Sequence, residues 1–167
     1  IVPTDGEMQD DDFLALVQPY IERAEAYQNE AVAELPVTVR TDDVFHGSCL
    51  WVDEIHRCQF DAVAAEGIHA DISFSAPLSN GKTIEAGPLT VKDFFTWYPF
   101  ENSLAVMAMT GQEVKDFLEY AYEMKKPIYN FDSGAGIIYE VYENAEQGQK
   151  VRILSMADGT PFDLAKT

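Results

Sequence analysis

Basic residues are scarce in this chain of 167. Eleven Lys and Arg face 29 Asp and Glu, a formal net charge of -18. Such a field repels a polyanion, so no nucleic acid polymer is expected as a partner. It does not exclude a small phosphate ligand, because a local cluster dominates at short range. Cysteine is rarer still, with Cys49 and Cys58 alone. On one helix these two would sit about 13 Å apart, too far for a disulfide. His46, His56 and His69 lack a ligand spacing such as HxxxH. No metal site is therefore expected inside this chain, and no cofactor. No apolar run approaches the length of a membrane span. The chain opens on Ile1 rather than Met, which suggests a processed or excised piece of something longer.

Catalytic signatures are also missing. There is no GxSxG elbow, no Walker A loop and no GxGxxG turn. Two-metal phosphoester hydrolysis needs clustered Asp, His and Asn ligands, and none cluster here. Asp10, Asp11 and Asp12 read as helix-capping carboxylates rather than a cation site. Asp53 and His56, three residues apart on a helix, read as a solvated or structural pair. Asn130 to Gly136 has the look of a phosphate cradle but precedes a strand, so a turn into a hairpin is the plainer reading. The residues favour a binding surface over a catalytic centre, and no catalytic residue is assigned.

What is present is one α+β domain. Residues 1–9 read as a loose N-terminal end and 10–167 as the domain. Its fold is expected to be a layered α/β sandwich with about four helices and short, mostly antiparallel strands. Phe13, Leu16, Val17, Tyr20, Ile21, Ala24 and Tyr27 recur at helical spacing, predicting a helix to about Ala31 that Pro19 bends or delays. Val37 and Val39 suggest a short strand. Ser48 is placed to cap a second helix with a stripe of Trp51, Ile55, Cys58 and Ala62, stopped by Gly67. Ala70 to Ser75 alternates as a strand, Ala76 to Gly81 has turn chemistry, and Thr83–Ile84 suggests a short strand. Thr90 with Asp93, and Thr110 with Glu113, form capping boxes that open two further helices. The second carries a stripe of Val114, Phe117, Leu118, Ala121 and Tyr122, and Pro127 ends its segment. Ser103–Met109, Gly136–Tyr142 and Lys150–Met156 alternate as strands. Asp158-Gly159 is a turn signal, and Thr160 to Phe162 could begin another strand.

The most informative stretch is Val91 to Glu119. Phe94, Phe95, Trp97 and Tyr98 read mainly as core. Phe100 and Asn102 lie two apart at an element boundary, where sites are usually built. A ring beside an amide can hold a flat heterocycle: the ring stacks, and the amide meets its polar edge.

ADISFSAPLSNG, GPLTVKDFFTWYPFENSLAVMAMTGQEVKDFLEYA, NFDSGAGIIYEV and MADGTPFDLAKT together resemble the C-terminal domain of the 5′-nucleotidase family. The likeness is strongest to its 2′,3′-cyclic-nucleotide 2′-phosphodiesterase-like branch of Bacteroides-type bacteria. It runs from about Asp11 to Thr167. The resemblance implies an N-terminal metallophosphoesterase domain of the same polypeptide that holds two divalent metals and performs hydrolysis. The domain in hand would then bind a nucleotide or nucleoside. By resemblance Phe100 is one stacking wall and Asn102 a polar contact, with Ser75 and Asn80 contributed by the loop after the ADI strand. That loop lacks the arginine of the family's NGGxR pattern, and Lys82 lacks its bidentate fork. The family also continues past DLAKT to a second aromatic wall, so half a base clamp is expected here. One ring is worth about 1–3 kcal/mol of stacking, which corresponds to millimolar affinity or weaker. A periplasmic or secreted location follows from the resemblance. A rival reading within the same fold is a non-catalytic surface or binding module, and a third, apart from the resemblance, is an acidic interaction domain with no nucleotide role. An open strand edge would let two copies pair as a dimer.

Overall fold

A computed structural model describes residues 11–41, 49–76, 83–124, 133–142 and 144–166. These hold four α-helices and eight strands, and every strand pair is antiparallel. The class is α+β, as the alternating and helical periods predict. The chain divides into two compact units, residues 1–37 with 85–100, and residues 38–84 with 101–167.

In the first unit, α1 (Asp11–Gln28) opens on Asp11 and Asp12, carboxylates at the positive end of its dipole. Pro19 sits inside the helix and does not delay its start. The helix stops before the predicted Ala31, because Ala31–Leu35 forms β1. β1 pairs with β5 (Gly87–Thr90), where Glu34 faces Pro88. Neither strand is announced by its residues. Ala31–Leu35 is built of helix formers, and Gly87-Pro88 reads as a breaker until it is placed on an edge. The amphipathic stripe of α1 is largely uncovered: Phe13, Leu16, Tyr20 and Tyr27 are exposed and none of its residues is buried. α3 (Val91–Trp97) begins at the Thr90–Asp93 capping box, where both reciprocal bonds form. Of the aromatic run assigned to the core, only Trp97 is buried, and Phe94 and Phe95 face outward. In a helix of seven residues one narrow stripe faces inward, so an unbroken aromatic run cannot be buried whole.

In the second unit, β2 (Val39–Arg40) pairs with β4 (Thr83–Ile84). α2 (Leu50–Ala65) has Cys49 as its N-cap, without a side-chain bond. The predicted cap, Ser48, lies outside the described residues. The buried face of α2 is Val52 and His56, one residue out of phase with the predicted stripe. Cys58 on that stripe is exposed, and both cysteines are free. Gly67 follows the helix at φ 74, the left-handed conformation that suits a glycine stop. β3 (Ser73–Ser75) pairs with β6 (Ser133–Ala135). The tail of the predicted turn at 130–136 is therefore a strand.

α4 (Gly111–Glu123) forms as expected behind the Thr110–Glu113 capping box. Val114 and Leu118 join Ile137 of β7 (Ile137–Val141) and Val151 of β8 (Val151–Met156) in the core of this unit. Ile72, Phe74, Tyr139 and Phe162 pack around them. Phe74 meets Phe117 with ring centroids 4.6 Å apart. Asp158 accepts from the backbone N–H and hydroxyl of Thr160, closing the turn after β8. Residues 160–162 do not continue as a strand, and neither do residues 103–109. Their alternation is real, but no ladder forms along them, and Leu104, Val106 and Met107 are exposed. Pro127 lies outside the described residues.

Candidate functional site

The four residues assigned to ligand binding fall in different settings. Phe100 follows α3 and belongs to the first unit. It is 54% exposed, and Tyr98 meets it edge-on, with centroids 6.1 Å apart and planes at 88°. An edge-on neighbour steadies an aromatic ring without covering both its faces. Tyr98, expected mainly in the core, is half-buried beside Phe100. Its offset of two from Phe100 was the available signal. Asn102 is exposed and belongs to the second unit. Ser75 is buried at the end of β3, opposite Ser133 in the register. Its carbonyl oxygen lies 3.3 Å from the Ser133 hydroxyl. Asn80 lies outside the described residues.

The second unit also contains a polar cluster not foreseen from the sequence. His56 is buried, with Nδ1 2.8 Å from Ser73 Oγ and Nε2 2.8 Å from Ser133 Oγ. Ser73 in turn donates to the side-chain oxygen of Gln59. Asp53, read as a solvated or structural pair with His56, acts on it through charge, while two serine hydroxyls bracket the imidazole. Burial holds its pKa below the usual histidine value, and the negative charge of Asp53 opposes that shift in part. The alternation of β3 explains the arrangement. Phe74 reaches the apolar core, while Ser73 and Ser75 lie on the other face, toward α2.

Among the described residues, no three His, Cys, Asp or Glu side chains gather as a metal site, and no helix is long and apolar enough to cross a membrane. The first unit thus carries an open aromatic ring, and the second an exposed amide and a closed hydroxyl–imidazole cluster.

The family model for the 5′-nucleotidase C-terminal domain matches residues 33–167. A 5′-nucleotidase of Vibrio vulnificus is 31% identical over 135 residues, which is 76% of this chain and 22% of that protein. The chain belongs to the family of 5′-nucleotidase C-terminal domains. Solved structures share its fold. A candidate 5′-nucleotidase of Staphylococcus aureus, solved with α-ketoglutarate, superposes with a TM-score of 0.76 at 19% identity. The match covers 99% of this chain and 34% of that one. The sulfate thiohydrolase SoxB of Thermus thermophilus, solved with glycerol, gives 0.70 at 18% identity, over 93% of this chain and 29% of that one. The chain thus spans about a fifth of its curated relative and about a third of these solved chains.

Proposed function

We propose that this chain is the nucleotide- or nucleoside-binding domain of a metal-dependent phosphoesterase, a 5′-nucleotidase or a 2′,3′-cyclic-nucleotide phosphodiesterase acting in nucleotide catabolism. Membership in the family supports the class. The observation that carries the reading is the ring of Phe100, more than half exposed, with Tyr98 set nearly perpendicular beside it. A flat base stacks on such a ring, and the family resemblance adds Asn102 as a polar contact. Ser75 and Asn80 complete the proposed set. The two divalent metals, and the bond breaking, belong to an N-terminal domain of the same polypeptide. A periplasmic or secreted location is part of this proposal.

The reading is tested in the chain rejoined to its natural neighbours on both sides. Phe100→Ala raises KM for the nucleotide roughly 5- to 150-fold, the loss of about 1–3 kcal/mol of stacking. An unchanged KM contradicts the stacking role. A second reading, a non-catalytic binding module of the same fold, is favoured by the loop after β3, where the family's arginine is missing. The sequence upstream of this chain separates the two, because hydrolysis requires metal-ligand motifs such as DxH and GNH(D/E) there.

A further inference from the structure

The hydroxyl of Ser133 stands between two acceptors. Its oxygen lies 2.8 Å from His56 Nε2 and 3.3 Å from the carbonyl oxygen of Ser75, and it has one proton to give. On the other side of the ring stands Ser73. Ser73 donates its proton to Gln59, so its oxygen accepts from Nδ1–H. A neutral ring with Nδ1–H has a bare Nε2, which accepts from Ser133.

We propose that His56 is a proton-operated clasp between α2 and the paired ends of β3 and β6, in which the Ser133 hydroxyl turns from His56 Nε2 to the Ser75 carbonyl when the ring is protonated. The proton balance closes. The incoming proton rests on Nε2 and is donated to Ser133 Oγ, and the Ser133 proton moves to an acceptor already within reach. Neither charge state leaves a ring nitrogen of this buried residue without a partner, so the fold survives the change.

The surroundings agree. α2 packs against β2, β3 and β6. β3 and β6, with the sequences Ser-Phe-Ser and Ser-Gly-Ala, bring no ionisable group. β2 brings Arg40, which is exposed. On α2 itself Glu54 pairs with Arg57, and Asp53 is the charge that favours the cation. The consequence reaches beyond the cluster. Ser75 is the last residue of β3 and Ser133 the first of β6, paired with one another. A change in their hydrogen bonding therefore falls at the paired ends of β3 and β6.

Nitrogen-15 NMR of the histidine rings in the 167-residue chain, followed through a pH titration, tests this. The expected result is an Nδ1–H tautomer at neutral pH. As the ring takes its second proton, the Ser75 carbonyl carbon shifts with the same midpoint while the tertiary spectrum stays native. Ser133→Ala abolishes the Ser75 response while the ring still titrates, and Ser133→Thr, which keeps a hydroxyl, preserves it. An Nε2–H tautomer at neutral pH overturns the proposal. So does a Ser75 carbonyl that ignores the titration, an unchanged response in Ser133→Ala, or unfolding before the ring is protonated. If Ser133→Ala does not fold, the wild-type tautomer and the Ser75 titration decide the matter.

Discussion

Glu119 is a buried carboxylate on α4 that accepts from the backbone N–H groups of Lys150 and Val151, each at 2.9 Å. It ties the start of β8 to the helix. Lys115 also approaches it, at 3.4 Å, one turn away. The magnitudes separate the two contacts. Hydrogen bonds to a charged acceptor are worth about 1.5–3 kcal/mol each, while an i,i+4 ion pair is worth about 0.3–0.5 kcal/mol. Glu119→Ala is therefore expected to cost on the order of 3 kcal/mol in urea unfolding and Lys115→Ala less than about 0.5 kcal/mol. Equal losses would mean that the ion pair, and not the backbone anchor, is what matters. Gly136 is another residue with no easy substitute. It sits at φ 91, and an added Cβ would lie 2.1 Å from the Asp71 carbonyl oxygen. Gly136→Ala is expected to destabilise by about 1–3 kcal/mol or more, measured by thermal unfolding.

His56 sets a pH dependence whose sign follows from its burial. Burial holds the ring in the folded chain below the ordinary histidine value of 6.5, so the unfolded chain binds the proton more readily. Stability is therefore complete above 6.5 and falls as pH drops through 6.5 toward the folded value. The carboxylates act lower down. Asp93, Glu113 and Asp158 are held below their usual range by hydrogen bonds from Thr90, Thr110 and Thr160, and their contribution is lost only when they protonate. Urea midpoints at pH 7.5 and 5.5 should thus differ, and the difference should shrink in His56→Asn. Equal midpoints in the wild type would contradict the burial account.

Among the elements, α4 carries the clearest balance of local and distant forces. Its capping box satisfies the Thr110 end, and the N–H groups of Gly111 and Gln112 donate to Lys166 and Leu164, both at 2.9 Å. That close approach needs glycine, because a Cβ on Gly111 would lie 2.2 Å from the Asp163 carbonyl oxygen. Thr110→Ala is expected to cost about 1 kcal/mol. Gly111→Ala is expected to cost about 2 kcal/mol or more and to free amides 163–166 to hydrogen exchange. Unaltered exchange there would refute the packing.

α4 was legible in the sequence because its cap, stripe and length are all local. α3 was legible at its start for the same reason. β1 and β5 were not, because a strand of helix formers paired with Gly-Pro exists only through its partner. Residues 103–109 show the converse case: alternation offers two faces, but a strand requires a ladder, and alternation does not supply one. His56 was placed on the correct helix, and Asp53 does act on it through its charge, but the serines that hold its ring nitrogens were not foreseen. A stripe misread by one position turns a buried residue to the surface, and the serines that enclose it lie 17 and 77 positions away. Of the candidate site, Phe100 and Asn102 were visible as a spacing at a boundary. The edge contact of Tyr98 required the fold.

Over the whole molecule, a net charge of -18 disfavours a polyanionic partner and leaves a small ligand open. The central claim is that a nucleobase lies flat on Phe100 while hydrolysis belongs to other parts of the polypeptide. Adenosine titrated into the isotope-labelled 167-residue chain, followed by NMR, tests it most directly. The predicted result is a set of ring-current shifts centred on Phe100, Tyr98 and Asn102, saturating in the millimolar range and absent in Phe100→Ala. Shifts centred elsewhere in the fold, or undiminished in that variant, would contradict it.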